Sequence, residues 1–200
     1  MTPKERVKDF HEKFKVEEGY QHWISMISDH ELLIELIEKY NIKSFFEVGT
    51  WEGYTALLVN QHPNIEKQKA LDINKDMEVE YDKRFKNHHL REKEFYGSYF
   101  KDTDIELEFC DSTKYIPKYN EQYDMVYIDG NHTYDYVKKD TELAFKLNPK
   151  VIIWHDYHSG HPQIDKLINE LKRKGNKIIT TNIKPQHGGT IIAYLIIENE

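Results

Sequence analysis

The sequence has little cysteine and no long apolar segment, and each shortage excludes a class of protein. Cys110 is the only cysteine among 200 residues, so no disulfide can form within the chain, as is typical of a reducing compartment. The longest apolar runs, such as IIAYLII, are far shorter than the roughly 20 residues that span a bilayer. The charged N-terminus lacks the apolar core of a signal peptide. We therefore expect no membrane association and a cytoplasmic location.

The chain also lacks the basic charge that a nucleic-acid partner requires. Its formal net charge is -7, whereas binding to a phosphate backbone depends on clusters of Lys and Arg. No repeat, low-complexity tract or linker divides the sequence, and its length matches one ordinary domain. We predict one domain over residues 28–200, preceded by a helical extension or lid over residues 1–27. Nothing in the sequence indicates an oligomeric state.

Short apolar runs alternate with amphipathic segments, and this alternation predicts the fold class. Short, mainly apolar runs of strand length are typical of strands buried on both faces. Such runs occur at 42–48, 69–72, 105–109, 124–128, 151–154, 177–181 and 190–197. The short KPQHGG turn before the last run predicts an antiparallel hairpin. We therefore predict a doubly wound, Rossmann-like α/β fold with a seven-stranded, mainly parallel sheet, a C-terminal antiparallel hairpin and helices on both faces.

Helical spacing is clearest in three segments. Ser28 and Glu31 have the form of a capping box, which predicts that a helix begins there. Two later segments carry apolar stripes at helical spacing, and Gly175 is placed to end the second of them. The predicted stripes are Val137, Thr141, Ala144 and Phe145, and Ile164, Leu167, Ile168 and Leu171.

A glycine turn follows the first predicted strand, where open α/β sheets bind their ligands. The segment FFEVGTWEGYTA has Gly49 and Gly53 four residues apart, and Glu47 precedes the first of them. This spacing is not the dinucleotide pattern GxGxxG, and no phosphate-loop lysine follows. The turn suits a ligand that the backbone approaches closely without binding a phosphate. The alternative is a purely structural left-handed turn beside an exposed acid.

Acidic residues follow the next two predicted strands. Asp72 ends the second strand, where a carboxylate can accept hydrogen bonds from both hydroxyls of a ribose. Asp111 and Ser112 end the third strand, where they could accept from an adenine amino group. Each acid alone is a common surface feature. Glu47, Asp72 and Asp111, together with the glycine turn, indicate a binding site.

The segments FFEVGTWEGYTA, ALDINKD, EFCDS and DMVYIDGNH, in this order, resemble the cofactor motifs of class I S-adenosylmethionine-dependent methyltransferases. IDGNHTYDYVKKD and VIIWHDY are further similar to a branch of small-molecule O-methyltransferases and cephalosporin-hydroxylase-like proteins. The resemblance implies an S-adenosylmethionine cofactor and methyl transfer to an oxygen of a small-molecule acceptor. The cofactor-binding residues that it implies are Glu47, Gly49, Thr50, Trp51, Gly53, Asp72, Asp111, Ser112 and Asp129.

Acceptor chemistry is expected beside the fourth and fifth strands. Asp129 and Asp156 follow these strands, and two carboxylates could bind Mg²⁺ or another divalent cation, as in enzymes similar to catechol O-methyltransferase. His155 and Tyr157 flank Asp156, whereas that group usually has a second acid or an Asn beside it, which counts against magnesium. Without a metal, His132 or His155 would be the general base, with Asp129 also catalytic. The alternative is that His132 caps a helix and His155 is a hydrogen-bonded strand residue.

Two other functions stay open at this stage. The chain could be a non-catalytic cofactor-binding subunit that needs a partner, since a fold alone does not prove turnover. It could also be a metal-dependent, hydroxylase-like enzyme. The eleven histidines have no Cys partner and no HExxH helix, so a zinc site has little support. The charged segment over 74–102 is either a solvated helix or a basic lid over an anionic acceptor.

Overall fold

Helices pack on both faces of one seven-stranded sheet. The structure is a computed structural model, and it describes residues 1–14, 24–51, 53–73, 100, 102–158, 160–181 and 191–197. The strands are β1 (Ser44–Val48), β2 (Lys67–Asp72), β3 (Ile105–Phe109), β4 (Met125–Ile128), β5 (Val151–Tyr157), β6 (Ile178–Thr180) and β7 (Ile191–Ile196). The helices are α1 (Pro3–Phe14), α2 (Ile24–Lys39), α3 (Tyr54–Asn60), α4 (Tyr134–Lys146) and α5 (Pro162–Arg173), with a 3₁₀ turn at Ser112–Lys114.

The strand order confirms the predicted doubly wound sheet. It runs β3-β2-β1-β4-β5-β7-β6, and β7 is antiparallel to both β5 and β6. The chain adds β2 and β3 on one side of β1 and the later strands on the other, so the order reverses between β1 and β4. Val48 pairs with Ile128 at this point, which places the carboxyl ends of the two strands side by side. A ligand site is expected there.

Successive residues of the central strand build two separate cores. Phe45 is buried with residues of α1, α2 and α3, whereas Phe46 is buried with residues of α4 and α5. This follows from the pleat, because neighbouring side chains of a strand point to opposite faces. The near-continuous apolar sequence of β1 is therefore explained by helices on both sides of the sheet.

The structure differs from the prediction by more than two residues at two element boundaries, and also in the burial of one side chain. α2 begins at Ile24, so Ser28 lies inside the helix rather than capping it. Phe145 was predicted to belong to the buried stripe of α4, but its side chain is 41% exposed. The buried face of this helix continues from Val137 through Asp140 instead. β5 extends to Tyr157 through an irregularity in its pairing with β7, three residues beyond the predicted end. The stripe predicted for α5 is buried as expected.

The N-terminal helix is joined to the rest of the fold by buried histidines. The Nε2 atom of His11 and the Nδ1 atom of His30 are 2.9 Å apart, and Nε2 of His30 is 3.3 Å from the Thr55 hydroxyl. Burial lowers the pKa of His30 to about 3, so this ring is neutral.

In the described part of the chain, no helix is long and apolar enough to cross a membrane.

Candidate active site

The first glycine of the turn presses the end of β1 against the end of β4. Gly49 has a φ of +86°, and a Cβ atom there would lie 2.3 Å from the backbone oxygen of Asp129. The Asp129 N–H donates to the Val48 carbonyl at 2.8 Å, which fixes this approach. Only glycine fits both the dihedral angle and the space. The turn therefore joins the predicted cofactor residues directly to the predicted acceptor residues.

Asp72 holds the glycine turn from the neighbouring strand. Its Oδ2 accepts hydrogen bonds from the backbone N–H groups of Thr50 at 2.8 Å and Trp51 at 2.6 Å, and its Oδ1 accepts from Ile73 at 2.6 Å. Burial raises the pKa of Asp72 to about 6, although these hydrogen bonds favour the ionised form. The structure thus brings together Asp72, Thr50 and Trp51, three of the residues that the resemblance assigned to the cofactor. It also adds a structural role that the sequence did not reveal.

Glu47 lies beneath the turn and is almost fully buried. The Thr50 hydroxyl donates to its Oε2 at 3.0 Å. Burial raises the pKa of Glu47 well above its usual range, and the negative charges of Asp129 and Asp72 raise it further. The three acids are therefore close enough to repel one another. A cationic ligand beside these carboxyl groups would relieve the repulsion and favour their ionised forms.

Gly53 sits where the turn enters α3, and a buried aromatic ring covers it. Its φ is +82°, and a Cβ atom there would lie 2.6 Å from the Phe100 ring. The structure shows that Phe100 approaches this glycine, while its predicted role beside the ligand stays a prediction. The remainder of the charged segment, 74–99 together with Lys101, lies outside the described residues.

Asp111 caps the 3₁₀ turn after β3. Its Oδ1 accepts hydrogen bonds from the backbone N–H of Thr113 at 3.0 Å and from the Thr113 hydroxyl at 2.7 Å. Burial would raise the pKa of Asp111, but these bonds and the nearby Lys114 ammonium lower it overall. Asp111 and Ser112 lie at the carboxyl end of β3, beside the Asp72 edge. Much of the hydrogen-bonding capacity of Asp111 is already used locally.

Asp140 is a buried acid that sequence reasoning missed. It is fully buried in α4, and neither carboxyl oxygen accepts a hydrogen bond from the residues that the structure describes. Burial raises its pKa to about 7, and the nearby Ser112 side chain, which favours the ionised form, offsets only part of this effect. One oxygen lies 3.7 Å from the position that a Cβ atom would take on Gly130. The helical stripe could have revealed Asp140, which falls between Val137 and Ala144.

We expect Asp140→Asn to stabilise the protein in alkaline solution. The folded-state pKa lies above the usual value, so the folded state keeps a proton that the unfolded state loses between about pH 4 and pH 7. Wild-type stability should therefore fall as pH rises through this window. Above pH 7.5 the variant should be more stable by about 2–4 kcal/mol, with a much smaller difference near pH 4. Urea unfolding across pH measures this.

The exposed Asp135 in the same helix provides the control. Asp135→Asn should leave the pH dependence of unfolding as it is in the wild type. Equal pH profiles for Asp140→Asn and the wild type would contradict a perturbed acid at position 140.

Four side chains form the predicted acceptor cluster, two from the loop that follows β4 and two from the end of β5. His155 Nδ1 is 3.2 Å from Asp129 Oδ1 and 3.4 Å from Asp156 Oδ1. His132 Nε2 is 3.2 Å from Asp156 Oδ2 and 3.6 Å from Asp129 Oδ1. The structure therefore brings all four predicted residues together. A fifth residue, Asp29 of α2, was not predicted, and its Oδ2 lies 3.0 Å from His155 Nε2.

Carboxylates face both nitrogens of His155. Although burial alone would lower it, the pKa of His155 is raised well above its usual range by Asp129 and the other neighbouring groups. A ring held as a double donor cannot accept a proton from an acceptor molecule. The pKa of His132 is also raised, since its contacts with Asp129 and Asp156 outweigh its burial. Of the two predicted bases, His132 is the one that keeps an accessible edge, being 29% exposed.

The donor set does not fit a magnesium site made of carboxylates. Mg²⁺ requires oxygen ligands in near-ideal octahedral geometry. Here the Nδ1 atom of His155 lies between Asp129 and Asp156, within 3.4 Å of an oxygen of each. A nitrogen therefore occupies the position where magnesium would need oxygen.

The end of β5 is irregular and returns the chain to this cluster. Asp156 and His158 have φ angles of +58° and +57°, and Gly160 follows at +95°. This path places the His161 ring 4.1 Å from the His132 ring, measured between centroids. His161 was not predicted, because local spacing gives no sign that it meets His132.

A match to a known protein family covers the part of the chain that carries most of these residues. The methyltransferase-domain family matches residues 46–157, more than half of the chain, and this span includes the glycine turn and the acceptor cluster except Asp29 and His161. No curated protein matches the sequence.

Similar solved structures include a putative caffeoyl-CoA O-methyltransferase from Staphylococcus aureus, with 17% identity and a TM-score of 0.63 over 96% of this chain and 98% of that one. An O-methyltransferase from Bacillus cereus in complex with SAH has 15% identity and a TM-score of 0.62 over 96% and 91%. TomG from Streptomyces achromogenes, an O-methyltransferase of tomaymycin synthesis in complex with SAM, has 14% identity and a TM-score of 0.60 over 99% and 91%. At these identities the similarity establishes the fold.

The family match, the strand order and the turn at the switch point lead to the same assignment. The chain belongs to the methyltransferase-domain family, and the prediction of a class I S-adenosylmethionine-dependent methyltransferase is confirmed.

Proposed function

We propose that the protein transfers a methyl group from S-adenosylmethionine to an oxygen of a small-molecule acceptor. The observation that supports this proposal is the close approach of Gly49 to the Asp129 backbone, since the turn that we assign to the cofactor thereby adjoins the residues that we assign to the acceptor. The similar structures from Bacillus cereus and Streptomyces achromogenes are O-methyltransferases in complex with SAH and SAM, respectively. These two similarities support the choice of an oxygen acceptor.

The pocket chemistry suits a sulfonium donor. S-adenosylmethionine carries positive charge on its sulfur and on its amino group, and the pocket concentrates Glu47, Asp72 and Asp129. Because the methyl donor is already activated, the protein mainly needs to align donor and acceptor and to exclude water. We assign Gly49 and Gly53 to the turn around the methionine part and Asp72 to the ribose. Asp111 and Ser112 border the adenine in this assignment.

Methylation of a hydroxyl releases a proton, and His132 is placed to accept it in the metal-free chain. Its Nε2 faces the carboxylates of Asp156 and Asp129, so these acids favour a proton on Nε2 and leave Nδ1 of the neutral ring to accept one. The carboxylates orient the ring and increase its basicity. His155 has no nitrogen left to accept a proton from an acceptor molecule, because acids contact both of its nitrogens. His155 is therefore a positioning residue.

A methyl-transfer screen over phenols, sugars and nucleotides tests the proposed function. With a substrate in hand, His132→Gln should lower kcat by roughly 100-fold or more while leaving SAH affinity unchanged. The control is His158→Gln, because His158 is half exposed and contacts Asp165 rather than the cluster. Full activity of His132→Gln would exclude His132 as the proton acceptor. Absence of SAH binding to the wild type at millimolar concentration would contradict the cofactor assignment itself.

A further inference from the structure

Three side chains at the mouth of the acceptor cluster have the composition of a transition-metal site. They are His132, Asp156 and His161, and one ligand atom of each lies within 4.8 Å of the others. His132 follows β4, Asp156 belongs to β5, and His161 directly precedes α5. Two imidazoles and one carboxylate from three different segments therefore converge on one point.

The spacing of these atoms is close to that of ligands around a metal. Bonds of about 2.1 Å to nitrogen and oxygen separate neighbouring ligand atoms by roughly 3.0–3.4 Å in octahedral or tetrahedral geometry. His132 Nε2 and Asp156 Oδ2 are 3.2 Å apart. The centroids of the His132 and His161 rings lie 4.1 Å apart, which brings the two imidazoles close enough to approach one ion together.

The opposite oxygen of Asp156 meets a second group of donors. Asp129, His155 and Asp156 also place one ligand atom each within 4.8 Å of one another. His155 Nε2 contacts Asp29 Oδ2 at 3.0 Å, which fixes the orientation of the imidazole. A carboxylate on the far nitrogen of a histidine is the usual support for a metal-binding imidazole. Nitrogen donors therefore stand on both sides of Asp156.

The backbone at Asp156 has a conformation that most residues avoid, and this conformation positions the side chains described above. Asp156 and His158 adopt left-handed φ angles of +58° and +57°, and the pairing register with β7 shifts between Trp154 and Tyr157. Left-handed backbone is unfavourable for residues other than glycine and is concentrated at functional sites. Here the irregular strand end turns Asp156 toward His132 and returns the chain to His161.

We propose that His132, Asp156 and His161 bind a divalent transition-metal ion such as Zn²⁺, Co²⁺ or Fe²⁺. Imidazole nitrogens suit these ions, whereas Mg²⁺ favours oxygen ligands. Two histidines and one carboxylate leave coordination positions open to water or to an acceptor oxygen. This metal site forms part of the proposed acceptor site. Only the catalytic role of the ion rests on the proposed function, because metal binding itself requires no methyl transfer.

Cobalt titration of the chelator-treated, full-length protein tests this proposal directly. One equivalent of Co²⁺ should produce visible absorption bands, and Zn²⁺ should displace it whereas millimolar Mg²⁺ should not. His161→Ala should weaken Co²⁺ binding roughly 100-fold or more, since a ligand loss should exceed the 10–100-fold effect of losing an outer partner. His158→Ala is the control, because this nearby half-exposed histidine contacts Asp165 and should leave Co²⁺ affinity unchanged.

Two results would overturn the proposal. One is the absence of Co²⁺ and Zn²⁺ binding to the wild type at millimolar concentration. The other is wild-type affinity in His161→Ala while Asp156→Asn loses it, which would assign the metal to the group of Asp129, His155 and Asp156. Calorimetry with SAH on the same samples separates these outcomes from a failure of the proposed function, since cofactor binding is measured without metal. Circular dichroism establishes that each variant is folded.

Discussion

Gly49→Ala is expected to abolish cofactor binding and to lower the free energy of unfolding by more than about 3 kcal/mol. A methyl group at this position would lie 2.3 Å from the Asp129 carbonyl oxygen, and the φ of +86° is unfavourable for alanine. The overlap is with backbone rather than with a flexible side chain. Relief therefore requires β1 and β4 to move apart at the site. Urea unfolding and SAH calorimetry measure the two effects.

Gly175→Ala is the matched control for this variant. Gly175 has a φ of +94°, but among the described residues no atom beyond its chain neighbours lies within 4 Å of the position of an added Cβ. It should therefore lose only the roughly 1–2 kcal/mol of a left-handed alanine and keep wild-type SAH affinity. Equal losses of stability in the two variants would show that contact with Asp129 contributes nothing beyond the backbone conformation.

Asp72→Ala is expected to reduce affinity for SAH by roughly 100-fold or more. The carboxylate is assigned to the ribose hydroxyls, and hydrogen bonds to a charged group contribute about 1.5–3 kcal/mol each. The substitution also removes the acceptor for the backbone N–H groups of Thr50 and Trp51, so the empty turn loses its support. Isothermal titration with SAH provides the affinity, and urea unfolding provides the stability.

Asp124→Ala controls for the loss of backbone support alone. Asp124 Oδ2 accepts from the backbone N–H groups of Lys43 at 2.7 Å and Ser44 at 3.2 Å, at the opposite end of β1 from the site. This variant should lose stability while its SAH affinity stays within about twofold of the wild type. If Asp72→Ala also kept its affinity, Asp72 would be a structural residue and the ribose assignment would be wrong.

The part of the site that the sequence predicted lies at the ends of parallel strands. Parallel pairing brings all carboxyl ends to one edge of the sheet, so acids that follow successive strands are placed together by topology alone. Glu47, Asp72 and Asp129 were identified in this way, and each contributes to the electrostatics of the pocket. The glycine spacing was equally informative, because a left-handed turn restricts residue type locally.

Residues that act through contacts between distant segments were missed. Asp29 meets His155 across 126 residues of chain, and no motif in the sequence singles it out. Asp140 interrupts an apolar stripe, so charge argued against the burial that the structure shows. Phe100 lies at the end of a charged segment, although its ring covers Gly53. None of these contacts follows from a local pattern.

The sequence by itself determined the fold class, the glycine turn and the edge of the sheet that carries the acids, because period, turn geometry and strand direction are encoded locally. The tertiary structure alone decided which side chains share a contact. Helix packing brought Asp29 to His155, and the irregular end of β5 brought His161 to His132. These contacts depend on the rotation of packed elements and on backbone angles after Trp154. Such features are set by the whole core rather than by neighbouring residues.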